Sequence, residues 1–185
     1  LFRSRDIYNT GKADIVNEGK IILKNEKGTA IYAKHGTVTN KKSVINYSEY
    51  TGEDDGNINL KNNYNTAVEL SEDAVFVNEL EGIINVGSSA QSISNGNAVK
   101  TTGATSVDIT NKGEINLYNE ENSHAIFVDG TVTITNTDSG KITSYNDDST
   151  AVLATGTTSF TNKGEINVKG IISRSEERFS RNAET

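Results

Sequence analysis

The residues that could do chemistry are few, and their spacing restricts what that chemistry is. His35 and His124 are the only imidazoles, and with no cysteine the chain can form neither disulfides nor thiolate metal sites. The two histidines stand in different registers, His124 directly before Ala125 and His35 two residues after Ala33, so they are not expected to share a site. Serines are scattered, without a nucleophile motif such as G-x-S-x-G. The acidic clusters Glu53-Asp54-Asp55, Glu72-Asp73 and Asp147-Asp148 lack the alternating carboxylates and turn glycine of a calcium loop, and read as solvated acidic loops. A glycosidase needs two carboxylates about 5–10 Å apart in a cleft, and no acidic pair recurs here with a basic partner. The reading is of a chain with no catalytic residue, metal ligand or cofactor, and not of an enzyme. What remains is recognition. Tyr47 and Tyr50 supply aromatic contact area beside Glu49, Glu53, Asp54 and Asp55, a mix suited to a basic or glycan partner, which makes this loop the candidate binding segment.

Charge narrows the partners further. The 185 residues carry a formal net charge of −7, and phosphate binding needs clustered Lys and Arg, so nucleic acid and anionic membrane surfaces are disfavoured. No stretch approaches the roughly 18 apolar residues that span a bilayer, so direct membrane insertion by this segment is not expected. Only 34% of residues are hydrophobic, and Pro, Met and Trp are absent. A core must therefore come from small, regularly spaced apolar positions.

Those positions belong to a repeat. VDITNKGEINL (107–117), FTNKGEINV (160–168), VTITNTDSGKITS (132–144), ADIVNEGKIIL (13–23) and VFVNELEGIINV (75–86) each give an apolar run, an Asn, a Gly and then Ile-x-apolar. A more divergent copy is placed between Val44 and Leu60. The Ile that opens the second run recurs at Ile21, Ile58, Ile84, Ile115, Ile142 and Ile166, at spacings of 37, 26, 31, 27 and 24, which marks a solenoid with loop insertions. Within each run the period is two, as in Ile115-Asn116-Leu117, and the Ala-plus-β-branched pairs that follow give a third strand whose Ile31, Val68, Val99, Ile126 and Val152 should point inward. Three half-buried strands cannot close a core alone, but stacked coils bury one another's apolar rows. The predicted fold is all-β: a right-handed parallel β-helix of about six coils, a fragment of a longer repeat array. Asn17, Asn46, Asn78, Asn111, Asn136 and Asn162 end the first strand of each copy, where stacked amides can form a ladder that holds register.

The two ends depart from this pattern. Residues 174–185 (RSEERFSRNAET) can be read as twelve continuous codons of a short-read sequencing adapter, and residues 1–4 as the inverted start of the same adapter. The β-helix is accordingly assigned to residues 5–173, and 1–4 and 174–185 are excluded from fold reasoning. Within 5–173 there are 14 Lys and Arg against 22 Asp and Glu, a net charge of −8, and the excess of Lys over Arg with abundant Asn and Ile points to an AT-rich bacterial genome.

Across 5–173, repeats of the form xNKGEIN(L/V), followed by polar loops and A(I/V)xV, resemble the passenger repeats of large autotransporter adhesins of the fusobacterial type. The resemblance implies a passenger carried through the outer membrane and displayed outside the cell as a long stalk. It implies adhesion to host cells or other bacteria through the full-length protein, with a surface protein or glycan as partner. A carbohydrate-active β-helix with catalytic coils outside this segment, and a toxin passenger of the same fold, are the alternatives.

Overall fold

The computed structural model describes residues 5–24, 26–41, 58–60, 64–87, 94–118, 122–145 and 149–169. These hold strands and turns, and no helix among them is long and apolar enough to cross a membrane. The first coil holds β1 (Arg5–Asn9), β2 (Ile15–Asn17) and β3 (Ile21–Leu23), and the second β4 (Thr29–Ala33), β5 (Thr37–Asn40) and β6 (Ile58–Leu60). The third holds β7 (Thr66–Glu72), β8 (Val75–Asn78) and β9 (Ile83–Val86). In the fourth, β10 (Asn97–Asn111) serves as first and second strand together and is followed by β11 (Glu114–Leu117). The fifth holds β12 (Ser123–Val128), β13 (Gly130–Asn136) and β14 (Lys141–Ser144), and the sixth β15 (Ser149–Ala154), β16 (Thr158–Asn162) and β17 (Glu165–Val168).

Each strand pairs in parallel with its counterparts in the neighbouring coils. The first and second columns merge through β10 into an 11-stranded sheet, and the third column is a separate 6-stranded sheet in the order β17-β14-β11-β9-β6-β3. The chain is a parallel β-helix with six strands per column and five coil-to-coil steps.

The inward rows explain why it forms. Ile7, Ile31, Val68, Val99, Ile126 and Val152 stack in register through the first column. Ile109 sits beneath Ile134, Ile115 beneath Ile142 and Leu117 beneath Ser144, all six buried. Burying an Ile, Leu, Val or Phe side chain stabilises by about 1.5–3 kcal/mol, which β-branched residues achieve on a pleated surface without loss of their preferred rotamers. Each interior coil buries its apolar row against two others, whereas Phe160 in the sixth is 41% exposed because no described coil lies over it.

Two features depart from strict alternation. In the first column Ala30, Ala67, Ala98 and Ala125 are fully buried beside the equally buried Ile31, Val68, Val99 and Ile126. With two consecutive residues turned in, polar residues three apart, such as Thr66 and Glu69, line one outer surface.

The second departure corrects the register of the second coil. The residue stacked on Ile15 is Val38, not Val44, and the rung between Asn17 and Asn78 is Asn40, not Asn46. The apolar-x-Asn pattern occurs there twice, as Val38-Thr39-Asn40 and Val44-Ile45-Asn46. The preceding turn decides between them: Lys34-His35-Gly36 delivers the chain straight from β4 into Thr37, with Gly36 at φ +76°. The insertion of this coil is then 41–57, and Asn46 lies outside the described residues.

Candidate functional site

At the end of the second column the asparagines form one hydrogen-bonded file. The Nδ2 of Asn17 donates to Oδ1 of Asn40 at 2.8 Å, Asn40 to Asn78 at 2.9 Å, Asn78 to Asn111 at 2.9 Å, Asn111 to Asn136 at 2.8 Å and Asn136 to Asn162 at 2.9 Å. Every bond runs in the same direction, so each amide polarises the next. The four middle rungs are fully buried. Their spare donor hydrogens turn to backbone, Asn78 to Gly82 O at 3.1 Å and Asn136 to Gly140 O at 3.2 Å. The glycine is required by closeness rather than by φ: a Cβ at Gly140 would overlap the carbonyl oxygen of Asn111 and the side chain of Asn136. Lys112 pairs with Glu79 at 3.2 Å on the outer side of this turn, both partly exposed, a contact of the kind that contributes about 0.2–1 kcal/mol. From Asn17 to Asn136 each amide donates to the next, an arrangement that suits the file to holding register.

The loop residues singled out for recognition, Tyr47, Glu49, Tyr50, Glu53, Asp54 and Asp55, lie outside the described residues, as do Asp147, Asp148 and 170–185. His35 and His124 are placed apart. His35 Nδ1 contacts the carboxylate of Asp73, and that hydrogen bond lowers the Asp73 pKa, while Lys34 meets Glu72 at 3.7 Å. His124 Nδ1 lies 3.0 Å from Asn97 Oδ1, and partial burial, then the charge of Lys100, lowers its pKa. Among the described residues no three His, Asp or Glu side chains converge as metal ligands would.

The Asn between the two inward residues of the third-column strands also bonds its counterpart in one pair of coils. Asn116 Nδ2 donates to Asn85 Oδ1 at 3.1 Å, and Asn85 is buried. The signal was present in the recurrent Ile-Asn-apolar triplet, which places an Asn at the same point of successive coils.

The structure also forms a hollow of about 260 Å³ on the outside of the first column, which the sequence reading missed. Its walls come from three coils: Lys27, Gly28 and Thr29 from the second, Tyr64, Thr66 and Glu69 from the third, Asn95, Asn97 and Lys100 from the fourth. Parallel pairing aligns Thr29 with Thr66 and Asn97, and Tyr32 with Glu69 and Lys100, which brings residues distant in sequence side by side. Glu69 is only 4% exposed, and its two oxygens accept from Thr29 Oγ1 at 3.1 Å and Thr102 Oγ1 at 3.3 Å. Lys27 Nζ sits 5.6 Å from the centre of the half-exposed Tyr64 ring, and Lys100 Nζ 5.8 Å from that of Phe127. Beneath the rim, Gly28 N donates to Asn65 Oδ1 at 2.8 Å and Gly96 N to Ser123 Oγ at 3.0 Å, which ties the turn of each coil to the next.

Comparison with protein-family models, with curated proteins and with solved structures returns no match.

Proposed function

We propose that this chain is a length of shaft from the passenger of a surface-displayed autotransporter adhesin, adhering to host cells or other bacteria through the full-length protein. The observation that supports this reading best is the repeated stacking: six strands per column, with an Asn at every step of the file. A solenoid whose coils bond only to their neighbours lengthens by adding copies and carries its variable segments on its sides. Segments held by a rigid scaffold are the usual carriers of recognition. On this reading the chain holds a partner rather than transforming a substrate, it is extracellular at the outer membrane, and the partner is a protein or glycan of a host or bacterial surface.

The test is expression of the complete gene in a Gram-negative host, with protease shaving of intact cells and an adhesion assay. Protease-accessible passenger and gained adhesion support the reading. Retention inside the cell, or display without adhesion to any host or bacterial surface, overturns it. Deleting residues 48–55 from the displayed protein should leave it folded, and undiminished adhesion in that variant would remove the Tyr47–Asp55 loop from the binding surface.

A further inference from the structure

We propose that the hollow formed by β4, β7, β10 and the turns preceding them binds an acidic sugar residue, a uronic- or sialic-type acid within an oligosaccharide. This rests on the adhesive reading above, and gives it a ligand class and a place. The first support is a contrast within one turn position. Lys27, Tyr64 and Asn95 each stand two residues before the first strand of their coil and Asn122, level with Asn95 in the strand register, stands one before; all four have left-handed backbones, at φ 60°, 60°, 57° and 48°. Asn is at ease there, whereas a residue such as Lys or Tyr adopts this conformation less readily. Of these four, the two that depart from Asn lie in adjacent coils, and they bring an ammonium and an aromatic ring to the rim of the same hollow.

The second support is charge. The chain is acidic overall, yet this hollow has two ammonium groups against one carboxylate. Among the described residues neither Lys27 nor Lys100 has an ion-pair partner; each lies over an aromatic ring instead. Glu69 is held by two threonine hydroxyls and is buried, so it is positioned as a fixed acceptor. A sugar acid matches this set group by group. Its apolar C–H face lies on the Tyr64 ring, its hydroxyls bond Glu69, Thr66 and Asn97, and its carboxylate meets the lysines. The volume suits a single sugar ring, with the rest of the oligosaccharide lying outside along the sheet.

The experiment is calorimetric titration of the purified full chain with α-2,3-sialyllactose and with trigalacturonate, against lactose as the neutral probe. At least one acidic saccharide should bind saturably, more tightly than lactose by about tenfold, and more weakly as salt rises. Tyr64→Asn removes the ring but installs the residue that the same turn carries in the next two coils, so the fold persists, checked by an unchanged melting curve. It and Lys100→Gln should each weaken binding by about tenfold. Absence of saturable binding to both acidic saccharides, equal affinity for lactose, or wild-type affinity in both folded variants would overturn the site. Adhesion by the displayed protein that is indifferent to both variants removes this site and leaves the adhesive reading standing. Binding by the purified chain without adhesion by the displayed protein supports the site and removes the adhesive reading.

Discussion

The turn that follows Asn78 and the turn that carries Tyr64 both bend every coil, but they repeat in different ways. The first repeats its residues: Asn17, Asn40, Asn78, Asn111, Asn136 and Asn162 keep one side chain at one place through six coils. The second repeats only its backbone, a left-handed φ shared by Lys27, Tyr64, Asn95 and Asn122. Where side chains bond to their own copies, identity is dictated by the stack. Where only a conformation is passed on, the side chain is free to meet something else. The difference separates positions that make the rod from positions that can serve a partner.

Among truncations, the largest effect should come from the strand that leaves the first turn. Truncating Ile115, fully buried between Ile84 and Ile142, to Ala should cost about 2–5 kcal/mol in urea unfolding, through lost burial and the cavity left behind. Within the file itself, Asn111→Ala deprives Asn78 Nδ2 of one acceptor and Asn136 Oδ1 of a donor. A loss of about 1–3 kcal/mol is expected for buried groups stranded in this way, read from the same unfolding curve. An unchanged midpoint would mean that the amides are ornaments of the turn.

The second region should behave otherwise. Tyr64→Asn is expected to move stability by no more than about 0.5 kcal/mol, since the ring is half exposed and Asn suits the backbone. The smallest effect concerns pH. Burial, then Lys100, lowers the folded-state pKa of His124, so between that value and the ordinary imidazole value the unfolded chain binds more protons. Stability from this group is complete above the ordinary value and falls as pH drops through that window. His124→Gln should flatten this limb of a stability-versus-pH curve, and an unaltered slope would place the acid sensitivity elsewhere.

Much of the architecture could be read from the chain because its cause is local and periodic. Ile115-Asn116-Leu117 shows a period of two, and its recurrence in other copies shows what stacks on it. The Asn file followed from the same repetition, except in the second coil, where two apolar-x-Asn triplets compete and a turn conformation at Gly36 decides. The hollow was not legible for the opposite reason. Lys27, Tyr64, Glu69 and Lys100 are unalike, and become neighbours only through pairing across coils of unequal length. Nor does a period-two reading show that Ala67 and Val68 are buried together, which is what lets Thr66 and Glu69 share an outer wall.

One substitution made at both turns tests the distinction most directly. Asn78→Tyr and Asn95→Tyr are chemically the same change, made in adjacent coils, and urea unfolding midpoints compare them in one measurement. Asn95→Tyr places at φ 57° a residue that Tyr64 already holds at φ 60° one coil earlier, so its midpoint should shift by the equivalent of about 1 kcal/mol or less. Asn78→Tyr drives a ring into a fully buried site between Asn40 and Asn111 and breaks two rungs, so a loss above about 4 kcal/mol, or failure to fold, is expected. Equal shifts at the two positions, or a larger one at Asn95, would contradict the account.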